Sequence, residues 1–124
     1  MASKSSQSKK KTRLSSVKLC IRYEVLIPTR DNAGNKFSPK YFIITATEIK
    51  SLLGDYTIAP DVNIGTWIMS NGDVVIDETI RIYVDVPRKN RSKFDSALIK
   101  YKDKLKKRFE QEEIYIISYI IRVL

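Results

Sequence analysis

The strongest periodicity in the chain runs from Ser92 to Phe109, where Phe94, Ala97, Leu98, Tyr101, Leu105 and Phe109 recur at three- and four-residue spacing. That spacing draws one apolar stripe along a helix, and the stripe must face a core. Ser92 is the predicted N-cap, with Asp95 in the capping-box position, and Lys104, Lys106, Lys107 and Arg108 suit the negative end of the helix dipole. After an acidic break, Glu110 to Glu113, the pattern changes to one of β-branched and aromatic residues from Ile114 to Leu124. Tyr115, Ile117, Tyr119, Ile121 and Val123 share one face of this predicted strand; Ile114, Ile116, Ile120 and Leu124 share the other. A strand apolar on both faces is expected to be covered on both.

Upstream, Leu19, Ile21, Tyr23, Val25 and Ile27 alternate with Lys18, Cys20, Arg22, Glu24 and Leu26, a half-buried strand ended by Pro28. Thr29 to Lys36 is a cluster of turn formers. It does not make a calcium loop, because its glycine is misplaced and Phe42 stands where a bidentate glutamate is needed. Ser38 as N-cap and Pro39 at the first helical position open a second helix, which Gly54 ends. Tyr41 or Phe42, Ile49, Leu52 and Leu53 line its buried face. Four of the six residues from Phe42 to Thr47 are β-branched, so an extended start competes with the helix.

Asp55 to Ile64 reads as a loop carrying Pro60, followed by a strand over Thr66 to Ser70. Asn71-Gly72 is the preferred pair for a two-residue hairpin turn. Asp73 to Val86 returns as a long strand with Ile80, Ile82, Val84 and Val86 inward and a bulge at Asp77-Glu78, where the alternation slips. The order β-α-β-β-α-β predicts an α+β, ferredoxin-like domain: a four-stranded antiparallel sheet with two helices on one face. The other face then carries Cys20, Arg22, Glu24, Leu26, Arg81, Tyr83 and Asp85.

Length and composition sharpen this. The 124 residues are one domain's worth, with residues 1–16 a Ser/Lys-rich basic arm, too polar to fold, ahead of a domain spanning residues 17–124. The net charge of +9 is uneven: residues 1–18 carry +6 and residues 88–108 carry +8, while the two remaining segments are acidic. The sequence has no histidine, which removes the commonest general base and the commonest metal ligand. A single cysteine, Cys20, allows no intrachain disulfide. No secretory signal is apparent, and Ile114 to Leu124 is too short for a membrane helix of about 20 residues, so a cytoplasmic protein without membrane association is expected.

Several short motifs occur in order: Val25-Leu26-Ile27-Pro28-Thr29, Asp31-Asn32-x-Gly34-Asn35, Phe37-Ser38-Pro39, Gly54-x-Tyr56-Thr57, Gly65-x-Trp67 and Phe109-x-Gln111-Glu112-x-Ile114-Tyr115-Ile116. Together they resemble a family of short, uncharacterised bacterial and phage-associated proteins. The resemblance implies a ferredoxin-like fold and an oligomer, and it supplies no catalytic residue. The basic arm, and the β-branched residues in the first helix, depart from the family pattern.

For chemistry, Cys20 lies mid-strand with no evident base and is more economically a spectator. Asp77-Glu78 and the Glu110, Glu112, Glu113 group make no acid-base dyad, because neighbouring carboxylates on a strand point to opposite faces. Glu112 suits a structural acid at the helix-to-strand junction, paired with a lysine of the last helix or with Arg22. Trp67 and Glu112 mark a candidate small-ligand pocket, although such a tryptophan is more often core. No phosphate loop, dinucleotide fingerprint, metal cluster or cofactor motif is present. The expectation is a non-catalytic basic protein that binds nucleic acid through phosphates, using Lys9, Lys10, Lys11 and Arg13 in the arm and Lys100, Lys104 and Lys107 on the last helix. Arg22, Arg81 and Tyr83 are candidate contacts on the open sheet face. The apolar last strand favours instead a homodimer formed through that region. An acidic protein partner for the basic helix, and a small-ligand module or enzyme, are the alternatives.

Overall fold

Strand β1, Lys18–Pro28, lies inside a four-stranded antiparallel sheet, between β3 (Val74–Pro87) and β4 (Tyr115–Val123). Strand β2, Thr57–Ile68, pairs with β3 on the far side, so the order is β2-β3-β1-β4. Helix α1, Pro39–Leu53, joins β1 to β2, and helix α2, Arg91–Arg108, joins β3 to β4. This computed structural model describes residues 17–124 apart from Met69 and the side chains of Pro60, Asp61, Asn63 and Trp67. The chain is thus α+β, with an antiparallel sheet and two helices, compatible with a ferredoxin-like fold. Among the described residues no helix is long and apolar enough to cross a membrane.

The core forms where the alternation of β1 and β3 meets the helical stripes. Ile21, Tyr23, Val25 and Ile27 from β1 and Ile82, Val84 and Val86 from β3 pack on Ala46, Ile49 and Leu53 of α1 and on Leu98, Tyr101 and Leu105 of α2. Phe109 and Ile114 close one end. Phe109 is fully buried, and the rings of Phe37, Tyr41 and Phe42 surround it at centroid distances of 5.1, 6.1 and 5.8 Å. The expected competition over the start of α1 resolves as helix from Pro39 onward. Thr45 and Thr47 donate their hydroxyls back to the carbonyls of Tyr41 and Ile43, and tertiary packing outweighs the weak propensity.

Four local expectations are corrected. Ser92 is not the cap of α2: a 3-10 turn, Arg88–Asn90, precedes the helix, Asn90 takes the N-cap position without a side-chain bond, and Asp95 is held by Tyr23 instead. The segment expected as a loop up to Ile64 is mostly β2, because the long β3 offers it a partner from Thr57 onward. The irregularity lies on β2 and not at Asp77-Glu78: Ala59 pairs with Arg81 and Asn63 with Thr79, so residues 60–62 bulge beside Pro60, whose nitrogen has no proton for the ladder. The hairpin is wider than two residues, since Ile68 pairs with Val74. Gly72 alone of the Asn71-Gly72 pair has a positive φ, 91°, and the Asn71 side chain accepts the Asp73 backbone N–H at 3.0 Å.

Two surfaces stay uncovered. Beyond the Pro28–Thr79 pair, β2 and β3 continue alone as a hairpin whose helix-side row, Ile64, Ile68, Val74 and Ile76, is exposed. The edge strand β4 is exposed along most of its length, so the expected cover on both faces is not supplied by the described residues.

Candidate ligand-binding surfaces

The face of the sheet away from the helices is built from cross-strand neighbours. Arg22 opposes Asp85 in the β1–β3 register and binds it through Nε at 2.8 Å and Nη2 at 3.0 Å, a bidentate fork. Glu24 accepts from Arg81 Nη1 at 2.7 Å and from the Tyr119 hydroxyl. Tyr83 lies beneath both guanidinium groups, 4.3 Å from Arg22 and 5.6 Å from Arg81, in cation–π contact. Glu24 is only 3% exposed. The hydrogen bond to Glu24, with partial burial second, pushes the Tyr119 hydroxyl above its ordinary range. Two arginines and two carboxylates therefore neutralise one another, and the ring expected to stack bases is already occupied. The candidate contacts Arg22, Arg81 and Tyr83 do come together, but bound to Asp85, Glu24 and one another, with Arg81 Nε buried and without a hydrogen-bond partner among the described residues.

A second polar cluster locks the two helices. Glu48 of α1 accepts from Arg108 Nη1 at 2.5 Å and from the Tyr101 hydroxyl at 3.1 Å, and pairs with Lys104 at 2.5 Å. Arg108 also donates to the buried Thr45 hydroxyl at 2.9 Å. Burial opposes ionisation of Glu48, yet the hydrogen bonds from Arg108, Lys104 and Tyr101 prevail and hold its carboxyl at about 2. Burial and the Glu48 charge together push the Tyr101 hydroxyl up. Nothing local in the sequence marks Glu48: its partners lie on another helix.

This cluster redistributes the cationic helix. Lys104 is committed to Glu48, and Lys102 and Lys106 both reach Glu113, at 2.6 and 3.8 Å. The junction acid is therefore Glu113. Glu112, expected in that role, is exposed and makes no ion pair among the described residues, because its neighbour faces the lysines. Lys93, Lys100 and Lys107 are exposed and also make no ion pair among the described residues. Lys93 and Lys100 join Lys104, Tyr101 and Leu52 along a shallow groove between the helices. Lys9, Lys10, Lys11 and Arg13 lie outside the described residues, as does the Trp67 side chain, so the pairing of Trp67 with Glu112 in one pocket has no described geometry. A smaller cleft opens between α2 and β4, where Tyr23 donates to Asp95 at 2.5 Å beside Leu98, Ile99, Ile116 and Ser118.

The motif residues between β1 and α1 have structural work. Asp31 accepts the backbone N–H groups of Ala33 at 3.0 Å and Asn35 at 2.8 Å, and Asn32 donates to the Glu110 carbonyl at 3.2 Å. They tie the first loop to the end of α2. Among the described residues no three His, Cys, Asp or Glu side chains converge as metal ligands.

No protein-family model matches the sequence, and no curated protein matches it significantly. Two solved structures share the fold. A phage SAM lyase in complex with S-methyl-5'-thioadenosine superposes with a TM-score of 0.58 at 11% identity, covering 84% of this chain and 88% of that one. A phage SAM lyase in the apo state gives a TM-score of 0.51 at 14% identity, covering 86% and 89%.

Proposed function

We propose that this chain is a ferredoxin-like module that binds an adenosine-bearing thioether or sulfonium, the chemical class of S-methyl-5'-thioadenosine and SAM. One observation carries the reading: the likeness to a phage SAM lyase extends over nearly the whole of both chains. At 11% identity that likeness is one of fold, so no residue role is transferred with it. The composition is compatible. Lack of histidine weighs against hydrolysis through an imidazole base, whereas a sulfonium C–S bond breaks with its electron pair leaving on sulfur as a neutral thioether. Calorimetric titration of the full chain with S-methyl-5'-thioadenosine and with SAM should give saturable heats. Chromatography of SAM incubated with the protein reads out any cleavage, and the absence of saturable binding to either compound at millimolar concentration ends the proposal.

A second reading, phosphate-driven binding of nucleic acid without catalysis, is favoured by the exposed row Lys93, Lys100 and Lys107, which makes no ion pair among the described residues. In this reading the arm lysines and the helix neutralise phosphates, and affinity falls steeply with salt. Replacing Lys100 and Lys107 by glutamine should flatten the log–log salt dependence on duplex DNA by about two, given roughly 0.9 per phosphate contact. Salt-independent or undetectable binding would exclude it.

A further inference from the structure

Strand β4 is an edge of a kind that folded chains seldom leave bare. Its nine residues carry one charge, Arg122, and its apolar side chains project from both faces. Tyr115 is 66% exposed, Ile120 48% and Val123 41%, and Ile99 on the adjoining helix is 71% exposed. Edges that must remain free are usually protected by lysines, prolines or bulges. The opposite edge follows that rule: β2 is broken by its register shift between Ala59 and Asn63, next to Pro60. The contrast lies within one sheet.

The surroundings of β4 are suited to being covered. On the outer face beside it, Arg22 is bound by Asp85, while Arg81 and Tyr119 are bound to Glu24, so a neighbouring strand at the edge would meet no unpaired charge there. We propose that a second copy of this chain pairs its own β4 antiparallel to this one, joining two four-stranded sheets into one of eight strands. The occupant is a second copy because the exposed edge needs a partner strand apolar on both faces and with an unbroken backbone, and β4 itself has both properties. An antiparallel two-fold pairing also sets the two Arg122 side chains toward opposite ends of the seam. Side by side in that seam, the exposed Tyr115, Ile117, Tyr119 and Ile120 of each copy gain cross-strand apolar neighbours on both faces of the sheet. The inference stands apart from the ligand reading, since it concerns only the edge.

Sedimentation or light scattering across a hundredfold concentration range tests it on the full chain. The expected mass is twice 14.3 kDa. Ile117→Lys and Ile120→Lys, each at a half-exposed position on a different face, should both shift the protein to monomer while circular dichroism shows an unchanged fold. A monomer at every concentration overturns the proposal, as does a closed trimer. A dimer that survives both substitutions but is lost on Ile64→Lys and Ile76→Lys places the contact on the β2–β3 hairpin and overturns it equally.

Discussion

Glu48 joins what the two helices do separately. With its folded-state value at about 2, below the ordinary 4.5, the carboxylate contributes stability that is complete above about pH 4.5 and is lost as the pH falls through about 2. Its side chain is 22% exposed, so after screening the contribution is on the order of 2 kcal/mol. Denaturant midpoints measured between pH 5 and pH 2 should fall in the native chain and fall less in Glu48→Gln. At neutral pH Glu48→Gln itself should be destabilising, because Arg108, with only 13% of its side chain exposed, loses its counter-charge. Phe109→Ala should cost about 3–5 kcal/mol in chemical denaturation, since three rings pack around a side chain with no exposure. The place of Phe109 was legible as the last member of a helical stripe. That of Glu48 was not, because Arg108 lies sixty positions along the chain.

At the level of elements, periodicity identified both helices and the central strands, while their ends depended on neighbours. The start of α2 moved to Arg91 because the 3-10 turn leads the chain off β3, and β2 lengthened because β3 supplied a ladder. The end of α2 shows the cost of a local compromise. Glu110 sits at φ 51°, where glycine is favoured, while Gln111 N–H bonds the Lys106 carbonyl at 2.9 Å and Glu110 N–H the Lys107 carbonyl at 3.3 Å, a Schellman closure. Glu110→Gly should therefore raise stability by up to about 1 kcal/mol, read as a higher denaturant midpoint. In α1, Ile43 is 65% exposed and gains little from packing, so Ile43→Ala should raise stability by about 0.4 kcal/mol through helix propensity alone.

For the molecule as a whole, the decisive quantity is how charge and apolar surface are left over once the fold has formed. In the sequence the excess charge of residues 88–108 points to Lys100, Lys104 and Lys107 as phosphate contacts; folding assigns Lys102, Lys104, Lys106 and Arg108 to Glu113 and Glu48 and leaves Lys93, Lys100 and Lys107 facing solvent. The sheet face loses its free arginines in the same way. Among the described residues, apolar surface remains on β4 and on the outer hairpin. Lys104→Gln and Lys107→Gln should accordingly differ: the first lowers thermal stability measurably by stripping a partner from Glu48, and the second leaves it within about 0.5 kcal/mol.

By itself the sequence determined both helices, the strands β1, β3 and β4 and most residues of the core, because side-chain periods of 3.6 and 2 are local properties that burial turns into stripes and faces. It also determined the absence of imidazole chemistry and the location of the excess charge. Only the tertiary structure decided which charges remain available, which loop becomes strand, and which strand is left as an open edge. Each of these is set by contacts between residues far apart in the chain, and an ion pair or a ladder hydrogen bond leaves no periodic trace in either of its two segments.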